Sequence, residues 1–307
     1  MTIAIGIVGI GKIARDQHIP TIARDDRFRF AGAVSRHAQD LGVPVAATLV
    51  ELKDQVPDLG AIAVCTPPSN RLALLREAFA LGLDVLMEKP PAATLSEAEH
   101  FLPLAAASTS ILYQSWHSRA APAVEPAREW LASRRIRKVR VDWLEDVRVW
   151  HPGQEWIWNP GVGVFDPGIN ALSILTQLFA THLSIECSNL AFPSNRSAPI
   201  RADLRLVADA GFDVDLSFAF DQAGPQTWTI AVATEEGMLV LGDGGASWSI
   251  NGTPQAVVDN RPEYARVYDR FATLIEARAD DIDLSPFRLV ADAFLLGDRA
   301  DIGPFDW

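Results

Sequence analysis

Cysteine, lysine and long apolar runs are all scarce in this 307-residue sequence. The two cysteines, Cys65 and Cys187, lie far apart without C-x-x-C spacing, which disfavours a disulfide framework and predicts buried thiols in a reducing compartment. No apolar run approaches the roughly 20 residues that cross a bilayer, and no basic leader precedes the first apolar segment. We therefore expect a cytoplasmic protein that makes no membrane contact.

Basic charge is also limited, since 27 lysine and arginine residues stand against 39 aspartate and glutamate residues, for a formal net charge of −12. A protein that binds nucleic acid needs a basic face, so this balance argues against a nucleic-acid partner. A neutral small molecule remains a suitable substrate. The hydrophobic share of 49% is typical of a soluble globular chain, and the length is sufficient for two domains.

The first residues of the chain have the pattern of a dinucleotide-binding turn. Residues 3–14, IAIGIVGIGKIA, read as a strand, a tight turn and the start of a helix. In such a turn Gly9 permits the sharp bend, Gly11 lets the backbone approach a pyrophosphate, and the small Ala14 lets the helix lie against the strand. A plain turn between strand and helix is the alternative. The predicted cofactor contacts are Gly9, Ile10, Gly11, Lys12 and Ile13.

The next strand, predicted at 28–34, ends before Ser35, Arg36 and His37. A dinucleotide fold places the group that meets the adenine ribose at this point, and no acidic residue stands there to accept from the free hydroxyls of NAD. Serine and arginine can instead bind a 2′-phosphate. This favours NADP, with NAD also accepted, although a polar loop with a surface arginine would have the same sequence.

The arrangement of predicted elements indicates two domains of different class. Up to residue 118, short apolar runs alternate with amphipathic stretches, as in a Rossmann dinucleotide-binding domain with a parallel sheet. Besides the strands named here, the first domain has predicted strands at 61–65 and 111–113. Residues 119–307 carry several alternating strands separated by turns, which predicts an α+β domain with a mostly antiparallel open sheet. These strands are predicted at 138–143, 201–207, 213–220, 227–233, 238–241 and 247–250. Two helices near 263–277 and 285–297 could pack back on the first domain. The open sheet is a candidate homodimer interface.

Lys89 is the strongest catalytic candidate of the first domain. It follows the predicted strand 84–87 in the run Glu88-Lys89-Pro90-Pro91, at the carboxyl edge of the sheet where a nicotinamide would lie. The prolines restrict the chain around it, whereas an ordinary surface lysine is the simpler interpretation. Further predicted cofactor contacts at this edge are Thr66, Pro67 and Glu88.

A stretch rich in tryptophan indicates the substrate class. Residues 145–158, EDVRVWHPGQEWIW, combine aromatic faces with the hydrogen-bonding groups of Glu145 and His151. Stacking surfaces such as Trp150 beside polar side chains suit a neutral sugar, although a tryptophan-rich core would look similar. A zinc site that uses His117, His151 and the acidic residues has no supporting ligand spacing, and we predict no metal.

The run Val164 to Asn170 opens an apolar helix that we predict to about residue 179. Asp166 is expected at the N-cap with Pro167 at the first helical position, so capping is a sufficient explanation for its presence. Asn170 lies four residues on and shares a face with Asp166. A carboxylate and an amide would then converge on a substrate.

Together these motifs resemble the Gfo/Idh/MocA oxidoreductases over essentially the whole chain. The order of the N-terminal G-x-G-x-x-A, the E-K-P after a later strand and the aspartate at a helix start is that of the family. More narrowly, several runs resemble those of the bacterial L-arabinose and D-galactose 1-dehydrogenases. They are GIGKIARDQH, EKPPAATL, WHSR, AVEPAREWL, WHPGQEWIW and VFDPGINALSI.

This resemblance implies oxidation of a pyranose hemiacetal at C1 to the lactone, with hydride passing to NAD(P). The family usually carries a histidine acid/base four residues after the aspartate. Here that position is Asn170, so the resemblance implies Asp166 as the base, with Lys89 holding O1; Lys89 as the base is the alternative. Asn170 would orient O1 or Lys89. The implied substrate contacts are Glu145, His151, Trp150, His117 and Trp228.

Two other interpretations of the same motifs stay open. Another family member would act on a different sugar, a cyclitol or a dihydrodiol. A catalytically silent NADPH-binding regulator would need the glycine turn but no proton acceptor.

Overall fold

A computed structural model describes residues 2–36 and 41–306. The chain forms two compact units. Unit 1 comprises Met1–His117 and Pro262–Leu284, and unit 2 comprises Ser118–Arg261 and Ser285–Trp307. Of the two C-terminal helices, the first therefore belongs to unit 1 and the second to unit 2.

Within the described residues, unit 1 contains a six-stranded parallel sheet. Its strands are β1 (Ile3–Val8), β2 (Phe28–Val34), β3 (Val45–Ala46), β4 (Leu59–Val64), β5 (Asp84–Met87) and β6 (Leu112–Gln114). They lie in the order β3-β2-β1-β4-β5-β6. The order reverses beside β1, and this switch point is where open parallel sheets bind ligands. Apolar residues fill β1, β4 and β5 almost completely, because helices cover both faces of such a sheet.

The helices of unit 1 include one from the C-terminal part of the chain. A π-helical turn at Ala14–His18 precedes α1 (Ile19–Ile22), and α2 (Leu49–Gln55), α3 (Arg71–Ala80), α4 (Leu95–Glu99), α5 (Phe101–Ala106) and α9 (Glu263–Ala277) follow. Phe28 of β2 stacks on Phe271 of α9 with ring centres 6.1 Å apart. Tyr268 meets the same Phe28 ring edge-on at 5.2 Å. Buried aromatic contacts thus hold α9 in unit 1.

The described part of unit 2 builds a nine-stranded sheet. Its strands are β7 (Ile136–Leu144), β8 (Leu183–Pro193), β9 (Arg201–Ala208), β10 (Asp213–Ala219), β11 (Thr227–Thr234), β12 (Met238–Gly242), β13 (Ser247–Ile250), β14 (Thr253–Pro254) and β15 (Gly297–Ile302). They lie in the order β14-β13-β12-β11-β7-β10-β9-β8-β15. The pairs β7–β10 and β8–β15 are parallel, and the others are antiparallel. The strict alternation of buried and exposed residues along β9 shows that one face of the sheet is exposed to solvent. We call it the wet face.

Helices cover the other face of this sheet. They are α6 (Val124–Leu131), α7 (Val147–Trp150), α8 (Phe165–Leu178) and α10 (Ser285–Leu295), with short 3₁₀ turns at Glu155–Trp158 and Asp243–Gly245. A further 3₁₀ turn, His117–Ala120, starts with the last residue of the first segment of unit 1. Helix α8 lies directly against β10, since a Cβ atom on Gly168 would stand 2.7 Å from the ring of Phe218. Most of α8 is buried, which explains why its sequence is apolar on nearly every face.

The predicted fold class, a Rossmann domain followed by an α+β domain, is confirmed. Four strands escaped prediction: β3, β8, β14 and β15. The predicted helix 285–297 ends at Leu295 because Gly297 already begins β15, which pairs with β8. The expectation of buried thiols is wrong, since Cys187 is exposed and Cys65 is only half-buried. No helix in the described ranges is long and apolar enough to cross a membrane.

Candidate functional site

The ends of the parallel strands in unit 1 form one row. Register pairs connect the last or nearly last residue of each strand to its neighbour: Val34 to Val8, Val8 to Val64, Val64 to Met87, and Met87 to Gln114. The residues that follow these strands therefore share the carboxyl edge of the sheet. This edge carries Gly9, Ser35, Thr66 and Lys89, four of the predicted cofactor contacts.

The glycine turn after β1 fits a dinucleotide phosphate. Gly9 has a φ angle of +93°, and a Cβ atom there would lie 2.9 Å from both the backbone nitrogen and the Cγ2 of Thr66. A side chain at Gly9 is therefore excluded by conformation and by space. A Cβ atom on Gly11 would meet nothing within 4 Å, so the backbone there is open to a ligand. The helical residues 12–22 begin immediately afterwards, and their free N–H groups favour an anion.

The other predicted cofactor contacts lie around this turn with different exposure. Ser35 is half-buried and its amide donates to the carbonyl of Ala46 at 3.1 Å, whereas Arg36 is exposed. Lys12 is exposed and forms an ion pair with Asp16 one helical turn on. The remaining residues are Ile10 and Ile13, both half-buried at the turn, Thr66, half-buried, and Pro67, exposed. His37 lies outside the described residues.

Glu88 does not face solvent at this edge, because its side chain points into the interior of unit 1. One carboxylate oxygen accepts from the hydroxyl of Tyr264 at 2.8 Å and lies 3.0 Å from Nε2 of His18. The other accepts from the backbone N–H of Lys89 at 3.1 Å. Burial alone would raise the pKa of Glu88, but the bonds from His18 and Tyr264 and the positive charges of His18 and His117 lower it to about 2.

His18 extends the same buried network. Its Nδ1 lies 2.9 Å from the hydroxyl of Tyr268. Burial favours the neutral ring, but Cys65, Tyr268 and Glu88 outweigh this effect and hold the pKa of His18 well above 6.5. Burial raises the pKa of Tyr268 to about 12. We call His18, Glu88, Tyr264 and Tyr268 the Glu88 network.

The network predicts a pH dependence of stability. A histidine with a raised pKa stabilises the fold fully below its unfolded pKa, and this contribution disappears as the pH rises through the folded pKa. Glu88, with its lowered pKa, acts in the opposite sense and loses its contribution as the pH falls from 4.5 towards about 2. His18→Gln keeps an N–H donor but does not titrate, so it should reduce the loss of stability that the wild type shows as the pH rises above about 6.5.

Urea unfolding at several pH values would test this expectation. His100→Gln is the matched control, since His100 is exposed and bonds only locally to the carbonyl of Ser96 among the contacts described. Equal pH dependence in the wild type and in His18→Gln would contradict the assignment of His18.

His117, a predicted substrate contact, belongs to unit 1. Its ring stacks on Tyr264 with centres 5.6 Å apart and an interplanar angle of 19°. Its Nδ1 lies 2.7 Å from Oε2 of Glu263, the first residue of α9. His117 is thus joined by a ring contact to the Glu88 network.

Unit 2 brings three other predicted residues together. Nε2 of His151 lies 3.8 Å from Oε1 of Glu145 and 3.6 Å from Oδ2 of Asp166. Glu145 follows β7 and is buried, whereas His151 and Asp166 are half-buried. We call these three side chains the unit-2 cluster. An imidazole between two carboxylates can donate or accept hydrogen bonds while the carboxylates accept them.

Indole rings form a wall beside this cluster. Nε1 of Trp228 donates to Oε2 of Glu145 at 3.1 Å, which orients that carboxylate. Trp150 lies against Trp228 with ring centres 5.0 Å apart and keeps 40% of its surface exposed. The ring of His151 contacts Phe220 at 5.6 Å. Sequence resemblance alone suggested Trp228, and the hydrogen bond now supplies a physical reason for its position.

Asp166 does not cap α8. The helix begins at Phe165, and the capping residue, Val164, has no side-chain hydrogen bond to the helix. The expected N-cap is therefore wrong, because the helix starts before Asp166 and its carboxylate lies near His151 instead. Asn170 is one turn further on, and both residues are half-buried while residues 167–169 between them are buried. The expected shared face of Asp166 and Asn170 is present.

Comparisons with known proteins give matches to the first part of the chain and to nearly its full length. The profile of an oxidoreductase family with an NAD-binding Rossmann fold, Gfo/Idh/MocA, matches residues 3–115. A galactose 1-dehydrogenase from Pseudomonas fluorescens is 44% identical over 307 residues, which cover 99% of this chain and 98% of that protein. The chain belongs to the Gfo/Idh/MocA oxidoreductase family.

Solved structures extend the likeness of this Gfo/Idh/MocA oxidoreductase to three dimensions. A D-galactose 1-dehydrogenase from Rhizobium etli has 44% identity and a TM-score of 0.95, with 99% of this chain and 98% of that chain covered. A 3-ketoreductase variant from Actinomadura kijaniata, solved with NADP, has 15% identity and a TM-score of 0.82, with 98% and 100% covered. The second similarity shows the fold alone.

Some polar residues of this family member were not predicted from the sequence. His18, Tyr264, Tyr268 and Arg71 are all buried in unit 1 and bonded close to Lys89 or Glu88. For His18 and Arg71 the sequence shows only a polar residue within a helical segment, and nothing in it indicates that the side chain is buried. Among the described residues, no group of three or more histidine, cysteine, aspartate or glutamate side chains is arranged to hold a metal ion.

Proposed function

We propose that this protein oxidises C1 of D-galactose and related aldopyranoses to the lactone, using NADP in preference to NAD. The observation that carries the proposal is the unit-2 cluster beside its indole wall. Two carboxylates and an imidazole offer several hydrogen-bonding groups to ring hydroxyls, and Trp150 offers an apolar face for C–H groups. The 44% identity to galactose 1-dehydrogenase supports this substrate class.

The Gly9 turn would hold the dinucleotide, which would supply the acceptor for the hydride from C1. Loss of this hydride makes the C1 hydroxyl strongly acidic, so a base must accept its proton. We assign this proton to the carboxylate of Asp166. Glu145 and His151 bind ring hydroxyls, and Trp150 packs against the ring. Asn170 orients the C1 hydroxyl from the same face of α8.

Lys89 is assigned the role of an electrostatic partner of O1. Its ammonium would hold this oxygen and stabilise the partial negative charge that develops on O1 as the proton passes to Asp166. In this assignment hydride and proton leave the substrate separately, and the C1–O1 bond becomes the carbonyl of the lactone.

Three sugars are proposed to share the site. L-Arabinopyranose is D-galactopyranose without the exocyclic CH₂OH, and D-fucose lacks only the O6 atom. Initial rates with these three sugars, D-glucose, D-xylose and myo-inositol, each with NADP and NAD, would test the proposal. We expect turnover confined to the first three and faster with NADP. Absence of turnover with all six compounds would contradict the proposed substrate class.

Arg36 is proposed to bind the 2′-phosphate of NADP, together with Ser35. Arg36→Ala should raise KM for NADP by about 10- to 100-fold, since a charge-assisted hydrogen bond contributes about 1.5–3 kcal/mol to binding. KM for NAD should change little. Arg29→Ala is the matched control, because Arg29 pairs with Asp58 near the opposite end of β2. An equal rise in KM for NADP and for NAD would contradict the assignment of Arg36 to the 2′-phosphate.

We also propose a cytoplasmic homodimer that forms through the wet face of the unit-2 sheet. Both cysteines are free thiols, which suits a reducing compartment. The wet face carries ion pairs within the sheet, such as Lys138–Asp215 and Arg205–Asp213, so like charges need not repel a second copy. Light scattering should give twice the chain mass, and a monomer at all concentrations would exclude the dimer. Cell fractionation tests the compartment.

A further inference from the structure

Arg71 is a buried arginine whose hydrogen bonds all run to backbone carbonyls in the contacts described. It is the first residue of α3 and keeps only 2% of its surface exposed. One guanidinium nitrogen donates to the carbonyls of Glu88 and Pro90, and the other terminal nitrogen donates to the carbonyl of Thr66. The first two acceptors are the residues directly before and after Lys89.

Glu88 holds the same segment from its side chain. The N–H of Lys89 donates to one carboxylate oxygen at 3.1 Å, while Tyr264 and His18 fix the other oxygen. The backbone of residues 88–90 is therefore bonded at the carbonyl before Lys89, at its amide and at the carbonyl after it. Such fixation leaves few main-chain positions for Lys89.

Burying the positive charge of Arg71 costs free energy of folding, so a specific role for the guanidinium is needed to explain it. Burial lowers the pKa of Arg71 to about 10, against the opposing influence of the Glu88 charge. A neutral side chain of similar size could fill the space without desolvating a cation. Multidentate geometry is the property that only a guanidinium supplies, because its planar fork reaches several carbonyls at once.

We propose that Arg71 is a positioning residue that fixes Lys89 for the hydride-transfer reaction. This inference rests on the proposed function, in which Lys89 acts on O1. Arg71→Met keeps much of the side-chain length but removes every donor. It should lower kcat for D-galactose by about 10- to 100-fold, since small misplacements of a catalytic group have effects of this size. KM for D-galactose should stay within about threefold.

Two further variants separate positioning from general stability. Arg71→Lys retains a buried cation but not the fork, and it should recover part of kcat. Arg278→Met is the matched control, because Arg278 pairs with Asp84 at the opposite end of β5. It should lower the melting temperature without lowering kcat of the folded enzyme.

Hydrogen exchange followed by mass spectrometry gives a readout that does not depend on turnover. Exchange in the peptide that covers residues 88–92 should accelerate in Arg71→Met and stay unchanged in Arg278→Met, with and without bound NADP. Unchanged exchange there, or an equal loss of kcat in Arg278→Met, would overturn the proposal. If the wild type does not oxidise D-galactose, the proposed function fails by itself, and exchange at 88–92 then decides whether Arg71 fixes the segment.

Discussion

Replacement of Asp166 by alanine is expected to lower kcat for D-galactose by about 10²- to 10⁴-fold, the range typical of general base removal. KM should change much less, because the proton is transferred in the transition state and not in the ground-state complex. The structure excludes helix capping as the role of Asp166, since α8 begins before this residue and its carboxylate lies 3.6 Å from His151. Steady-state kinetics with saturating NADP would measure both constants.

Chemical rescue makes this prediction specific. Added formate should restore part of kcat in Asp166→Ala, because it supplies the missing carboxylate to the cavity. Glu125→Gln is the matched control: Glu125 is another first-turn acid in unit 2, on α6, and it pairs with Arg128 near the surface. It should leave kcat unchanged. An undiminished kcat in Asp166→Ala would contradict the assignment of Asp166 as the proton acceptor.

Replacement of Lys89 by alanine should have the second large effect. Removing a group that stabilises a developing oxyanion lowers kcat by about 10²- to 10³-fold. Ethylamine should rescue Lys89→Ala, whereas formate should not. Lys53→Ala is the matched control, since Lys53 also lies in unit 1 but donates to the carbonyls of Pro57 and Leu59.

The pair of rescue experiments also decides between the two possible bases. If Lys89 accepts the proton, Asp166→Ala should retain most of its kcat and formate should add nothing. If Asp166 accepts it, both variants should be impaired, each rescued by its own small molecule. A Lys89→Ala enzyme with full kcat would contradict both assignments.

The parts of the fold that the sequence predicted well are those with local causes. Gly9 is required by its own φ angle and by the neighbouring Thr66, so the G-x-G-x-x-A spacing carries enough information. Likewise, the alternation along β9 and β10 follows from one buried face. Strand β8 was missed because a register shift between Ile185 and Cys187 interrupts its alternation of buried and exposed residues. Strand β15 was missed because it pairs with β8, more than a hundred positions away in the sequence.

The same distinction applies to the candidate site. The cluster of Glu145, His151 and Asp166 was foreseen as a set of candidates, although the short distances among them follow only from the fold. The Glu88 network could not be predicted, because Tyr264 is 176 positions from Glu88 and belongs to a helix that returns to unit 1. Polar partners of buried carboxylates leave no periodic pattern in a sequence.

Deuterium transfer from C1 is the most direct test of the central claim. D-Galactose labelled with deuterium at C1 should yield NADPH that carries one deuterium on the nicotinamide, together with unlabelled galactonolactone. Mass spectrometry of both products would measure this in one reaction. Unlabelled NADPH formed from the labelled sugar would mean that oxidation occurs at another carbon, and the proposed 1-dehydrogenase activity would be wrong.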